Sequence, residues 1–181
     1  MAIRAIRQVG DEVLTKMCKP VRYMTPRIAT LIEDMFDTMY ESQGVGLAAP
    51  QVGVLKRLMI IDIFDGVEED GEATSNPYVF INPEIITMEE QQTGDEGCLS
   101  LPGKYGIVTR PQKVVVRALD FNMDPFELEA EGLMARAICH EIDHLDGKLY
   151  MELAVDGIKD VPTLEEQEAM HQEGHHPEED M

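Results

Sequence analysis

The chain has 181 residues, 44% of them hydrophobic, which is enough for one domain with a sizeable core and short for two. Its 15 basic and 35 acidic residues leave a formal charge of -20, which disfavours nucleic acid and anionic membranes as partners. The sequence has no signal-peptide core, no apolar run of about 18 residues and no regular cysteine spacing, and this favours a cytoplasmic protein with free thiols.

A long amphipathic helix is predicted at residues 26–43. Apolar residues recur there at helical spacing, Thr25 is placed to cap the helix, and Pro26 suits its first position. The next segment, GVGLAAPQVG at 44–53, is rich in glycine and small residues and is expected to form a tight loop rather than a strand or a helix. A largely buried strand is predicted to follow in VLKRLMIIDI at 54–63.

The middle of the chain carries further strand patterns. Residues 65–76 are acidic and turn-rich and are expected to form an exposed loop. A second strand is predicted at 77–88, with a break or an edge position at Pro83. Two more strands, at 108–121 and 126–132, are separated by turn residues and are expected to pair as an antiparallel hairpin.

A second helix is predicted from Leu133 to about Leu145, with Gly147 as its C-terminal stop. Strands thus mix with helices without the regular alternation of a doubly wound sheet. We therefore predict an α+β fold in which antiparallel sheets pack around this helix. Residues 1–163 are expected to form a single domain, and residues 164–181 an acidic tail that is partly helical or disordered.

The second helix carries CHEIDHLDG at 139–147. On an α-helix, His140 and His144 differ by about 40° of rotation and about 6 Å of rise, so both imidazoles can bind one metal ion. Glu141 can flank the same site. The simpler interpretation is a solvated helix face, because Glu141 and Asp143 are charged and matches to H-E-x-x-H also arise by chance.

The residues themselves leave the third metal ligand open. Cys139 adjoins His140 but is rotated about 100° from it, and is interpreted as a buried apolar residue. Cys98 lies in an extended, glycine-bounded segment that could present a thiolate, although a lone cysteine is more often structural. Glu165, 21 residues beyond His144, has the spacing of a zincin-type protease, but its acidic, near-terminal setting argues against a fixed ligand.

Gly44, Gly46 and Ala49 match G-x-G-x-x-A, a dinucleotide-binding fingerprint. That fingerprint requires a strand before it and a helix after it, whereas here a helix precedes and a strand follows. The small residues are better explained by a backbone that approaches a ligand or another strand closely. No dinucleotide cofactor is expected.

Three segments together resemble the signature set of the peptide deformylase family in order and separation: GVGLAAPQ at 44–51, EGCLS at 96–100 and HEIDH at 140–144. The resemblance runs from about residue 3 to residue 160. It implies that Cys98, His140 and His144 hold one divalent metal, usually iron(II), which zinc, nickel or cobalt can replace. It also implies that the third ligand is Cys98 rather than Glu165.

The resemblance further implies a hydrolase that removes the N-terminal formyl group from formyl-methionine of newly synthesised polypeptides and releases formate, in bacteria or organelles, with the bacterial cytoplasm favoured. The metal is expected to lower the pKa of its bound water, which attacks the formyl carbon. Glu141 is the implied general base and acid. The side-chain amide of Gln51 and the backbone N–H of Leu99 are the implied donors to the oxyanion. Expected partners are nascent formyl-methionyl peptides, with transient association with the ribosome.

Matching positions also imply contacts with the substrate. The peptide is expected to lie as an extended strand along backbone, with an apolar pocket for the methionine side chain. The residues implied in these contacts are Gly44, Val45, Gly46, Glu96, Gly97 and Ile138. The sequence departs from a common family pattern at Cys139, where glutamine is frequent, and at Tyr105, where some members carry an arginine that meets the distal peptide.

Two alternatives belong to other functional classes. The first is an H-E-x-x-H metalloendopeptidase that uses Glu165 as its third ligand. The second is a metal-binding or ribosome-associated module without activity. The presence of Glu141 and Gln51 argues against the second, because binding a metal requires neither residue.

Overall fold

The structure, a computed structural model, describes residues 2–64 and 74–173. Most of the loop expected at 65–76, and the end of the tail predicted to be disordered, lie outside these ranges. The first predicted helix is confirmed as α1, Pro26–Glu41. The Thr25 hydroxyl accepts a hydrogen bond of 3.2 Å from the N–H of Ile28, as expected for an N-cap.

Eight strands lie in the described residues, and we number them in chain order: β1 Gly46–Ala48, β2 Leu58–Ile61, β3 Tyr78–Glu89, β4 Gln92–Cys98, β5 Leu101–Arg110, β6 Lys113–Leu119, β7 Pro125–Glu131 and β8 Val155–Asp160. Five form one sheet in the order β1-β2-β3-β6-β7, and three form another in the order β4-β5-β8. Every neighbouring pair is antiparallel. The predicted α+β class is therefore confirmed.

The prediction of a plain loop at 44–53 is wrong. Leu47 pairs with Ile60 in the β1-β2 ladder, and both side chains are fully buried. A 3-10 turn follows at Ala49–Val52 and ends at Gly53, whose φ of 83 requires glycine. The low strand propensity of this segment is overridden because β1 pairs with β2 as the edge strand of the sheet and contacts the second helix.

Pro83 marks an irregularity inside β3, as predicted. The register with β6 shifts between Ile81 and Glu84, and Asn82 has a φ of 52. The Asn82 side chain exchanges two hydrogen bonds with the backbone of Val21, which holds this bulge against the N-terminal segment. The strand therefore continues past the proline rather than ending there.

The predicted hairpin is confirmed, since β6 and β7 pair from Lys113↔Glu131 to Leu119↔Pro125. Its first strand is shorter than the predicted 108–121, because residues 108–110 are the end of β5. The β4-β5 hairpin was not predicted. Its strands are polar and rich in glycine, and they form a ladder from Gln92↔Arg110 to Cys98↔Leu101 because each supplies the partner of the other.

The second predicted helix is confirmed as α2, Gly132–Leu145, and Gly147 follows it with a φ of 72. One face of α2 packs against the five-stranded sheet through Ala135, Ile138 and Ile142. The helix also contacts β5 of the three-stranded sheet. This position between two sheets, which the sequence predicted, places the histidines of α2 opposite the end of β4. The third helix, α3 Leu164–Glu173, begins in the tail.

Candidate metal centre

Cys98, at the end of β4, and two histidines of α2 converge in the structure. One donor atom each from Cys98, His140 and His144 lies within 4.8 Å of the others. Cys98 Sγ is 3.3 Å from His144 Nε2, and the two imidazole rings are 4.9 Å apart between centroids. A thiolate and two imidazoles form a ligand set that suits a divalent transition metal, and three ligands leave a coordination position open.

The environment of His140 fixes which of its nitrogens faces this cluster. His140 Nδ1 lies 2.6 Å from Glu96 Oε1. Burial opposes ionisation of Glu96, but hydrogen bonds with His140 and Arg110 outweigh it and lower the pKa of this carboxyl to about 2. An ionised carboxylate only accepts, so His140 donates from Nδ1 and its Nε2 is available as a metal ligand.

The two histidines differ in protonation when no metal is bound. Burial lowers the pKa of His144 to about 3, so this imidazole is neutral at pH 7 and ready to bind a metal. Burial also opposes the charged form of His140, but contacts with Cys98 and Glu96 outweigh it and raise the pKa to about 10. Metal binding therefore requires His140 to lose a proton, and the ligand nitrogen Nε2 is the atom that loses it.

Glu96 belongs to a buried network that the sequence analysis missed. Its carboxylate accepts hydrogen bonds of 2.6 and 3.1 Å from Arg110 and one of 2.9 Å from Arg136. Arg110 also donates to Asp143 at 2.6 Å. Arg136 precedes His140 by four residues, so the helical spacing that paired the histidines could have revealed it, whereas nothing in the sequence marks Arg110.

Glu141 lies against the backbone of Gly46. A Cβ at Gly46 would meet Glu141 Oε1 at 2.6 Å, so a larger residue there would have to displace this side chain. Glu141 Oε2 is buried and has no hydrogen-bond partner among the described residues. Burial raises the pKa of this carboxyl to about 7, which places its titration near neutrality.

Gln51 faces the same centre from the 3-10 turn. Its Oε1 accepts a hydrogen bond of 2.9 Å from the N–H of Ala48, which orients the amide. Its Nε2 then lies 3.1 Å from Ser100 Oγ and 3.5 Å from Cys98 Sγ. The side chain of Leu99 packs against Gly44, where a Cβ would approach it to 2.7 Å.

A cavity of about 800 Å³ opens beside these groups. Most of the predicted site residues line it: Gly44, Val45, Gly46, Gln51, Glu96, Gly97, Cys98, Leu99, His140 and Glu141. His144 is not among the described residues that line it, but its Nε2 lies 3.3 Å from Sγ of Cys98, which does line the cavity. The prediction that Ile138 contacts the substrate is not supported, because Ile138 is fully buried in the core against the five-stranded sheet. Leu133 and Ala137 are the apolar residues of α2 that line the cavity.

A family model described as Polypeptide deformylase matches residues 3–159. The peptide deformylase of Lachnoclostridium phytofermentans is 57% identical over 169 residues, which are 93% of this chain and 99% of that protein. The chain belongs to the polypeptide deformylase family. Members of this family are enzymes that remove the N-formyl group from nascent peptides, and the chain is a hydrolase of this kind.

Solved peptide deformylases share the fold. The crystal structure from Legionella pneumophila is 44% identical, covers 94% of this chain and 92% of its own, and gives a TM-score of 0.77. A structure from Acinetobacter baumannii with bound Met-Ala-Ser is 34% identical, covers 84% of this chain and 98% of its own, and gives a TM-score of 0.76. The predicted resemblance to the deformylase family is thereby confirmed.

The deformylase family consists of metalloenzymes, and the Cys98, His140 and His144 donors fit that chemistry. The metalloendopeptidase alternative is not supported. Glu165 lies exposed in α3, and the metal-binding group formed by the described residues does not include it. Cys139 is buried in the core, as its position on the helix predicted.

Within residues 2–64 and 74–173, none of the helices has the length and apolar character needed to cross a membrane.

Proposed function

We propose that this deformylase hydrolyses the formyl-methionine terminus of nascent polypeptides with one divalent ion held by Cys98, His140 and His144. The observation that carries the proposal is the convergence of their donor atoms within 4.8 Å. Iron(II) is the proposed native ion, with zinc, nickel or cobalt as substitutes, because one thiolate and two imidazoles suit all four. The ion, when bound, supplies Lewis acidity, which lowers the pKa of water and polarises the formyl oxygen.

Glu141 is the proposed proton carrier. Its buried Oε2 accepts a proton from the attacking water and returns it to the nitrogen of the leaving amine, so that formate and a free N-terminus result. A pKa of about 7 suits both steps, since the carboxyl then gains and loses a proton at little cost near neutral pH. The close approach of the Gly46 backbone, which leaves no space for a Cβ beside Glu141, supports a defined position for this carboxylate.

Gln51 and the backbone N–H of Leu99 are the proposed donors to the oxyanion. The hydrogen bond from Ala48 to Gln51 Oε1 leaves the Nε2 group facing Cys98. Leu99 directly follows Cys98, so its N–H lies next to the same ligand. Donors fixed before the reaction need no reorganisation as charge develops on the formyl oxygen.

The peptide is proposed to lie along Gly44–Gly46 on one side and Glu96–Gly97 on the other, where backbone borders the cavity. The methionine side chain is proposed to enter the apolar part of the cavity, which Val45, Leu133 and Ala137 line. The Met-Ala-Ser bound to the Acinetobacter baumannii relative supports a substrate that begins with methionine.

The setting of the reaction is part of the proposal. Its substrate is a chain that is still being made, so we place the enzyme in the bacterial cytoplasm in transient contact with ribosomes. Residues 1–163 are proposed as the catalytic domain, because every proposed site residue lies between Gly44 and His144.

A metal-binding comparison tests the ligand set. Cys98→Ala is expected to lower the metal content of the purified protein and abolish release of formate from a formyl-Met peptide. Glu165→Ala serves as the matched control and is expected to retain both. Loss of metal from Glu165→Ala with retention in Cys98→Ala would contradict the proposed site and favour the endopeptidase.

A further inference from the structure

A second cavity, of about 740 Å³, lies beside the N-terminal half of α1. Its lining includes Arg4, which pairs with Asp34, and four further cations: Lys19, Arg22, Arg27 and Lys56. None of the described residues that line this cavity is acidic. The chain carries 15 basic and 35 acidic residues, so a cavity whose charged lining residues are all basic differs strongly from the average charge of the molecule.

These four side chains also lack ion-pair partners within residues 2–64 and 74–173. Lys16, Lys148 and Lys159 are also without an ion pair among the described residues, but they lie outside this cavity, and other cations of the fold are paired. Arg110 and Arg136 pair with Glu96, and Arg57 pairs with Asp146 at 2.7 Å. Unpaired like charges that line one concave surface raise the local concentration of anions. The cavity therefore fits a ligand with several negative charges.

Arg4 connects this cavity to the active-site cavity, because its side chain lines both. Arg4 Nε donates a hydrogen bond of 3.0 Å to Oδ2 of Asp34, which lies near the middle of α1. Helix α1 connects the two cavities in the same way. Ile28, near its start, lines the basic cavity, and Ser42, just after its end, lines the active-site cavity. Fourteen helical steps correspond to about 21 Å, which an extended peptide covers in roughly six residues.

We propose that the basic cavity binds acidic side chains of the substrate polypeptide, roughly seven to ten residues beyond the formylmethionine. This inference rests on the proposed function, since it extends the path of the same substrate past Arg4. A peptide fits better than a nucleic acid, because the charge of -20 repels a long polyanion while a few carboxylates meet only the local cations. The cavity thus acts as a determinant of substrate preference.

Paired synthetic substrates test this inference. Both are 12-residue peptides that begin formyl-Met-Ala-Ser, with three Glu at positions 8–10 in one and three Gln in the other. We expect kcat/KM to be on the order of tenfold higher for the Glu peptide, mainly through KM, because three exposed ion pairs form. The advantage should vanish in about 1 M salt, where the screening length is about 3 Å. Glu at positions 3–5 should give no such advantage.

Charge reversal locates the effect. In Lys19→Glu/Arg22→Glu, the Glu-to-Gln ratio of kcat/KM should fall to one or below. The control Lys148→Glu/Lys159→Glu changes the net charge equally at exposed lysines outside the cavity and should keep the ratio. Because each variant is its own reference on the Gln peptide, partial loss of folded protein does not affect the ratio.

Three results would overturn the inference. The first is a Glu-to-Gln ratio of kcat/KM near one in the wild type, and the second is a raised ratio that persists in Lys19→Glu/Arg22→Glu. The third is salt-sensitive binding of a short RNA by the wild type and the lysine control but not by Lys19→Glu/Arg22→Glu, which would assign the cavity to nucleic acid. Formate release from formyl-Met-Ala-Ser by the wild-type protein reports on the proposed function separately. Activity on that tripeptide with a ratio near one would reject the distal site alone.

Discussion

Glu141 is buried beside both histidines, and its Oε2 has no hydrogen-bond partner among the described residues. As the proposed proton carrier, it should be needed for turnover but not for metal binding. We predict that Glu141→Gln lowers kcat by about 10²- to 10⁴-fold and leaves the metal content unchanged. Steady-state formate release and metal analysis of the same preparation check this. A kcat within a few-fold of wild type would remove Glu141 from the mechanism.

The same carboxyl should destabilise the metal-free protein. Its pKa is raised from 4.5 to about 7 by burial, so the folded state binds more protons than the unfolded state between these values. The free energy of unfolding therefore falls as the pH rises through this window. We predict that metal-free Glu141→Gln is more stable than metal-free wild type by about 3 kcal/mol at pH 8 and by almost nothing near pH 4.5. Urea unfolding at both pH values measures the difference, and equal stabilities at pH 8 would contradict the prediction.

The absence of a side chain at Gly46 leaves the space that the Glu141 side chain occupies. Because a Cβ there would meet Glu141 Oε1 at 2.6 Å, Gly46→Ala should displace the carboxylate and reduce kcat/KM by at least tenfold. Gly94→Ala in β4 is the control, since its Cβ would meet Arg136 at an ordinary 3.5 Å. Kinetics of both variants on one formyl-Met peptide provide the comparison. Similar losses in both would attribute the effect to strand destabilisation instead.

At the level of elements, α2, β4 and β5 are joined by one buried network. Glu96 of β4 accepts from Arg110 of β5 and contacts His140 of α2. Arg110 also donates to Asp143 of α2, one turn further along the helix. The network thus fixes the helix that carries two ligands relative to the strand that carries the third.

Weakening this network should weaken metal binding. We predict that Glu96→Gln lowers metal affinity by about 10- to 100-fold, because His140 loses its charged acceptor. Asp143→Asn is a milder variant for the case that Glu96→Gln folds poorly, and should give a smaller loss. Arg117→Gln removes an exposed ion pair with Glu127 and serves as the control without effect. Competition with a chelator measures affinity, and unchanged affinity in folded Glu96→Gln would refute the positioning role.

The sequence predicted some elements and missed others for physical reasons. Helices α1 and α2 have periodic apolar faces, α1 has an N-cap at Thr25, and α2 is followed by Gly147 as a stop, so the local pattern suffices. Strands β1, β4 and β5 are short, polar or rich in glycine, and they exist because a partner strand supplies their hydrogen bonds. Such pairing cannot be read from one segment alone.

The same distinction holds for the site. His140, His144 and Glu141 follow from helical spacing, whereas Cys98 came from a family resemblance, because nothing in the sequence shows that β4 ends beside α2. The basic cavity was invisible for the same reason, since it combines residues near position 20 with Lys56.

The whole chain ends in an acidic helix and tail, and the predicted domain stops before them. Leu164 is 78% exposed, and Thr163 forms hydrogen bonds with Glu166 and Gln167, both within the next helical turn. We therefore predict that a chain ending at Thr163 keeps its urea midpoint and its kcat/KM on a formyl-Met tripeptide within about twofold. Unfolding and kinetics of the shortened chain check this, and a large drop in the midpoint would make the tail part of the domain.

Formate release by metal-replete protein tests the central claim most directly. The protein is purified without oxygen, its metal content is determined, and it is given formyl-Met-Ala-Ser and an unformylated peptide of similar length. The account predicts about one divalent ion per chain, release of formate from the first peptide and no internal cleavage of the second. Metal-replete protein that releases no formate, or that cleaves the unformylated peptide, would contradict it.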